Sequence, residues 1–276
     1  MKKNVIFAAA FMLIAGGAMA QTNTGTVNQT GNGNGATIEQ VGNLNSATTN
    51  QNANGNTALQ QQTGASNVGR INQSAAYDTP PNTNDHTQIQ SGNSNTALAD
   101  VFNSDQLGVQ TQTGNNNHSQ ILQSGLGNNS RNEAFTTQTG NSNIAFIEQK
   151  GGSRNMADIE QVGSGNEAYV RQDGYRNTAN IEQRGDGNNL GTGRWAAADL
   201  GVRQKGSDNS ADIYQLGNDN NSFVRQDGSF NTADVDQLGN NNGGFVTQTG
   251  ASHSAIIMQN GNGNGATVTQ SNTVVQ

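Results

Sequence analysis

An eleven-residue sentence repeats along the length of this chain. It runs Asn, then a small residue two positions on, a β-branched aliphatic two further, Gln two further, and an arc x-Gly-x-x before the next Asn. Residues 166–183, NEAYVRQDGYRNTANIEQ, contain it twice. From Asn23 to Gln270 there are 21 copies, and only four of the twenty spacings between glutamine slots depart from eleven. Gln fills its slot in 20 copies, with Val101 the exception, and Asn opens 18, with Gln106, Ala198 and His253 in the others. The small slot is kept in 19, broken by His86 and Leu200, and Val or Ile occupies the aliphatic slot in 15. A fixed period of this kind sets the architecture before any local reading.

An eleven-residue period can also describe a right-handed helical supercoil. Within each copy, however, the regular positions are 1, 3, 5 and 7, the period of a strand with one face turned inward. A Gly in almost every copy would cost a helix about 1 kcal/mol each. The reading is therefore all-β: a flattened β-solenoid of cross-β type, two strands and two arcs per 22-residue coil, in two parallel sheets back to back. Stacked at about 4.8 Å, such coils place Asn over Asn and Gln over Gln, so that each amide can donate to one neighbour and accept from the other. The expected structural ladder includes Asn34, Gln40, Asn143, Gln149, Asn166, Gln172, Asn177, Gln183, Asn209, Gln215, Asn220, Gln226, Asn231, Gln237, Asn242 and Gln248. A chain 31% hydrophobic and rich in Asn, Gln and Gly would otherwise suit disorder, but here the polar residues stand in columns.

Residues 1–20 carry Lys2 and Lys3, an apolar run from Val5 to Ala15 and Ala18-Met19-Ala20, the pattern of a secretory signal peptide. The repeat domain then spans 21–276. With no cysteine, the exported chain relies on no disulfide. Insertions interrupt the repeat at 74–83, with the two prolines Pro80 and Pro81, at 124–131, at 150–154, and at 184–197, with Trp195. Gln73 and Asn84 can keep register if the extra residues loop outward. The copies ending at Gln90, Val101 and Gln112 have Gln88, Ala99 and Gln110 in the aliphatic slot, so the weakest packing is expected there.

Strand type alternates with a 22-residue period, which predicts an acidic sheet and a basic, aromatic sheet. One set points Asp158, Glu160, Glu182, Asp212, Asp234 and Asp236 outward; the other points Tyr169, Phe223 and Phe245 in one column and Arg171, Arg203 and Arg225 in the next. Stacked like charges are unfavourable. Asp212, Asp234 and Asp236 are candidate gatekeepers that slow premature assembly. Residues 237–276 carry no charge, so the terminal strands present open hydrogen-bonding edges rather than polar caps.

The columns Gln-x-Gly-x-x-Asn-x-Ala-x-x-x-Gln after a leader of this type resemble the curlin repeats of curli fibre subunits. The resemblance implies a bacterial functional amyloid, exported by way of the periplasm with the help of chaperones and through an outer-membrane secretion pore. It further implies nucleation by a curlin-like subunit at the surface of a Gram-negative type cell, and homopolymerisation into extracellular biofilm fibres. The alternative is a monomeric secreted β-solenoid acting as an adhesin or an ice- or surface-binding protein, which would need a regular outward Thr array or stout end caps. Enzymatic function is not expected: His86, His118 and His253 are scattered, and neither a cofactor, a metal nor a small-molecule substrate is implied. The acidic balance disfavours nucleic acid.

Overall fold

The computed structural model describes residues 22–74, 83–103, 105–125, 130–189 and 201–272. The leader 1–20, Pro80, Pro81 and Trp195 lie outside them. Each of the 21 copies contributes one strand. They are β1 (Thr24–Thr30), β2 (Gly35–Asn43), β3 (Ser46–Asn52), β4 (Thr57–Ala65), β5 (Val68–Ser74), β6 (Asp85–Asn93) and β7 (Thr96–Phe102). There follow β8 (Leu107–Asn115), β9 (His118–Ser124), β10 (Glu133–Asn141), β11 (Ile144–Lys150), β12 (Met156–Ser164), β13 (Glu167–Tyr175) and β14 (Thr178–Arg184). The last seven are β15 (Gly201–Ser207), β16 (Ser210–Leu216), β17 (Asn221–Ser229), β18 (Thr232–Leu238), β19 (Gly243–Ala251), β20 (Ser254–Asn260) and β21 (Gly265–Ser271).

Odd strands form one 11-stranded sheet and even strands one 10-stranded sheet, both in simple coil order. Pairing is parallel throughout and in register, slot over slot: Ala157↔Ala179, Ile159↔Ile181 and Gln161↔Gln183 are representative. The architecture is the flattened, two-sheet β-solenoid that the periodicity predicts. The small slot has a steric reason. A Cβ on Gly244 would approach Val235 Cγ1 to 2.9 Å and Gln237 Nε2 to 3.2 Å, so each small residue lies between the aliphatic and glutamine slots of the facing sheet.

The arcs carry the turns. Glycine two residues after Gln is left-handed, as at Gly140 (φ 120°) and Gly163 (φ 127°). A side chain is also excluded there, because a Cβ on Gly140 would sit 1.9 Å from the carbonyl oxygen of Gly163 in the next coil. The residue before Asn is left-handed too, although it is often not glycine, as at Leu44, Ser66, Arg176 and Phe230. The arcs from even to odd strands all have four residues with Gly second, from 41–44 to 260–263. The insertions at 74–83, 124–131 and 150–154 all fall on the opposite edge, where odd strands lead to even ones. Register survives the first of them: Thr57 N–H donates to Asn84 O at 2.8 Å and Gln62 Nε2 to Gln90 Oε1 at 2.7 Å.

The fourth insertion is placed differently from the sequence expectation of 184–197 with Ala198 in the asparagine column. Arg184-Gly185-Asp186-Gly187 is a regular arc, and Asn188 fills the column. Its N–H donates to Asn166 Oδ1, its Nδ2 to Gly217 O, and its Oδ1 accepts from Asn220 N–H. Asn189 continues the strand through bridges to Glu167 and Asn221, and the ladder resumes at Gly201↔Phe223. The extra residues therefore leave from within the strand.

Candidate functional site

Two glutamine ladders run through the interior. In the 10-stranded sheet Nε2 donates to Oε1 of the next coil without a break, along Gln40, Gln62, Gln90, Gln112, Gln138, Gln161, Gln183, Gln215, Gln237 and Gln259, at 2.7–2.9 Å. In the 11-stranded sheet the run Gln29–Gln51–Gln73 is separated by Val101 from the run Gln123, Gln149, Gln172, Gln204, Gln226, Gln248 and Gln270. Gln123 Oε1, which faces Val101, is buried without a partner. The second amide hydrogen goes to a carbonyl at the start of the preceding strand, as from Gln149 to Glu133 O and from Gln248 to Thr232 O. A buried amide pairs its donors in this way, which is why a polar side chain is stable inside.

The asparagines stitch the corners. Asn166 N–H donates to Asn143 Oδ1 at 3.0 Å, and Asn166 Nδ2 donates to Gly185 O at 2.8 Å. The same pattern places Asn177, Asn209 and Asn231 in one column and Asn220 and Asn242 in the other. Asn34, in the first coil, accepts from Asn56 N–H and donates to Ala53 O.

A third ladder lies in the aliphatic slot. Gln60 Nε2 donates to Gln88 Oε1 at 2.7 Å, Gln88 Nε2 to Gln110 Oε1 at 2.8 Å, and Gln110 Nε2 to Ser119 Oγ at 2.8 Å. Thr49 Oγ1 donates to Gln60 Oε1, and Ser119 Oγ bonds Thr136 Oγ1. All are buried, so these coils are filled with amides rather than loosely packed as expected. Gly69 leaves room, since its Cβ would stand 3.1 Å from Gln60, Gln62 and Gln88. His86 is buried beside this ladder above Gly108, whose Cβ would lie 2.2 Å from the imidazole ring. Its Nε2 is 3.2 Å from Gln110 Oε1, an acceptor only, so that nitrogen carries the proton and Nδ1 is left unpaired. Burial lowers the His86 pKa to about 4, against a smaller opposing effect of the Gln110 hydrogen bond. The signal for this ladder was present in the sequence: sorted by sheet, Gln60, Gln88 and Gln110 are consecutive.

On the outer face of the even sheet one column reads Asp158, Asn180, Asp212, Asp234, Ile256 and the next Glu160, Glu182, Tyr214, Asp236, Met258. The candidate gatekeepers are thus neighbours on β16 and β18. Partial burial raises the pKa of Asp158, Asp212 and Asp234, with nearby carboxylates adding to it. Asn180 Nδ2 relieves Asp212, and Arg184 reaches Glu160 and Glu182. On the odd sheet Phe146 stacks on Tyr169 with centroids 4.9 Å apart, and Tyr169 OH donates to Glu148 Oε2. Arg171, Arg203 and Arg225 follow one another in the adjacent column.

At both ends the inward column is only half covered. Val27, Gln29, Ile38 and Gln40 at one end, and Ala266, Val268 and Gln270 at the other, are partly exposed, whereas interior members of the same columns are fully buried. A shallow groove of about 370 Å³ lies over the arcs at Asp173–Tyr175, Lys205–Ser207 and Asp227–Ser229. Among the described residues no group of three His, Cys, Asp or Glu could hold a metal ion.

No curated protein matches the chain. The family model for the curlin associated repeat matches residues 130–163, 152–185, 206–239 and 239–271. Those matches lie on coils whose asparagine and glutamine columns are bonded as described, and over them the chain carries the repeats of the curlin family.

Proposed function

We propose that this chain is a secreted structural subunit of curli-like amyloid fibres, assembling on the bacterial surface as matrix and adhesive material. The observation that carries the reading is the pair of half-covered ends: inward Gln, Ala and Val or Ile slots stop in mid-ladder on strands that lack charge, apart from Glu39. An unprotected strand edge of this kind templates another chain. Residues 1–20 act as the export leader, and residues 21–276 form the polymerising domain. A nucleating curlin-like subunit, periplasmic chaperones and an outer-membrane pore are its proposed partners, and the fold serves structure rather than catalysis.

The test is thioflavin fluorescence on purified residues 21–276, with and without sonicated product. The expected result is a lag abolished by seeds. A stable soluble monomer indifferent to seeds would instead favour the capped solenoid. Asp212→Asn, Asp234→Asn and Asp236→Asn together remove three stacked carboxylates and are expected to shorten the unseeded lag. An unchanged lag would remove the gatekeeper role while leaving the polymer reading intact.

A further inference from the structure

Among the described residues the number of strands is odd, and this determines how one copy can follow another. Resting on the polymer reading above, we infer that successive copies join as one continuous coil, each turned by half a revolution about the fibre axis. The ten-stranded sheet of one copy then runs into the eleven-stranded sheet of the next.

Among the described residues the last strand is β21, in the odd sheet, and β20 is the last of the even sheet. The next position along the coil therefore lies on β20. If β1 of a second copy takes it, β2 of that copy falls on β21. Slot then meets slot: Ile257 and Gln259 face Val27 and Gln29 of the next copy, and Val268 and Gln270 face its Ile38 and Gln40. Both glutamine ladders continue across the seam.

A second observation selects this register. Residues 31–37 and 261–267 are the same seven residues, Gly-Asn-Gly-Asn-Gly-Ala-Thr, one leading into β2 and the other into β21. In the continuous coil these two identical segments lie on top of each other. The bonds they would make already occur within the chain, where Asn240 N–H donates to Asn262 Oδ1 at 2.8 Å and Asn32 N–H to Asn54 Oδ1 at 2.7 Å. At the seam, Asn262 N–H meets Asn32 Oδ1 of the next copy.

The other junction, odd sheet on odd sheet, sets β1 on β21. It carries the two identical arcs to opposite edges. It also leaves the even sheet one strand short at each junction, with backbone groups of β20 and β2 facing a gap, and unpaired backbone groups removed from water are costly. In the continuous coil each copy advances the fibre by roughly 50 Å at about 4.8 Å per coil. The acidic columns of one copy then share a side of the fibre with the arginine column of the next, giving a charge repeat of about 100 Å.

The chain has no cysteine, so single-cysteine variants report the seam without background. Facing residues of adjacent parallel strands lie within disulfide reach. Fibres grown from equal amounts of T269C and E39C, then oxidised, are expected to give a covalent dimer whose linked peptides join 269 to 39. T269C mixed with N28C is expected to give none. I256C with T26C probes the other sheet and is expected to cross-link as well. Fibres that link 269 to 28, or fibres that link neither pair, would overturn the half-turn register while the polymer reading stands. Failure of the unmodified chain to form fibres at all would overturn both.

Discussion

The coils from β9 onward and those before them keep the same backbone register around opposite interiors. From Ile121 to Ile257 the aliphatic slot is Val or Ile except at Thr136, and these residues join the Ala column in one continuous cluster. From Thr49 to Gln110 the same slot holds Thr, Gln60, Ile71, Gln88, Ala99 and Gln110, and the apolar cluster shrinks to Ala58, Ile71, Ala99 and Val101, with Ala36 against it. The curlin associated repeat matches lie at residue 130 and beyond. What survives in both regions is the Asn corner, the glutamine ladder and the left-handed Gly. The register is therefore held by directional amide bonds at the ends of each strand, and the slot between them tolerates either chemistry if its neighbours in the same sheet agree.

The largest expected difference comes from emptying the aliphatic region. Ile181 lies between Ile159 and Ile213 in its column and is fully buried. Ile181→Ala is expected to cost about 2–5 kcal/mol, read as a lower guanidinium midpoint, because side chains held by two ladders cannot collapse into the cavity.

Acid is expected to move the two regions in opposite directions. His86 is neutral when folded, with its pKa lowered to about 4 from 6.5, so its contribution is intact above pH about 6.5 and is lost progressively down to about 4. At about 1.4 kcal/mol per unit this amounts to roughly 3 kcal/mol. Burial lowers the His118 pKa as well, on β9 at the boundary between the two regions. The pKa values of Asp158, Asp212 and Asp234 are raised on folding, so protonation favours the folded state and stability there grows as pH falls through those raised values. Hydrogen exchange resolved by segment at pH 7 and pH 4.5 is expected to show β6 and β8 losing protection while β12 to β18 hold or gain it. Uniform change along the chain would show that the two interiors do not respond separately to acid.

Cutting the amide ladder is expected to cost less. Gln88→Leu leaves Gln60 Nε2 without its partner and Gln110 Oε1 with His86 alone, a loss of about 1–3 kcal/mol. Replacing Gln60, Gln88 and Gln110 together with Leu removes both sides of the two Gln–Gln bonds, leaving Thr49 Oγ1 and His86 Nε2 without their glutamine acceptors, and is expected to cost less than three times the single change. If the triple variant loses about three times as much, the three glutamines act independently and the ladder is not a unit. The smallest effect sharpens the contrast: Val101→Gln offers a donor to the unpaired Gln123 Oε1 and is expected to raise stability by about 1 kcal/mol.

The coil, the two sheets and their contrasting faces were legible because strand alternation and the 22-residue column order are direct records of which residues stack. Counting back from Gln204 puts Ala198 in the asparagine column and passes over Asn188. Read forward from Gln183, the arc Arg-Gly-Asp-Gly leads straight to it, and an insertion inside a strand breaks any fixed offset. In the sequence the amide block around Gln88 reads as weak packing, because a glutamine in an apolar slot looks alone like a defect. Only its neighbours one coil away, Gln60 and Gln110, turn it into a bonded series. The left-handed residue before each Asn had no sequence signal, since Leu44, Arg176 and Phe230 are among those that adopt it.

The most direct measurement is X-ray diffraction from aligned product of seeded assembly of residues 21–276. Coils stacked along a fibre give a meridional reflection near 4.8 Å, and the two sheets an equatorial one near 10 Å. A product without the meridional 4.8 Å reflection, or a chain that stays soluble with its end strands protected from exchange, would contradict that stacking.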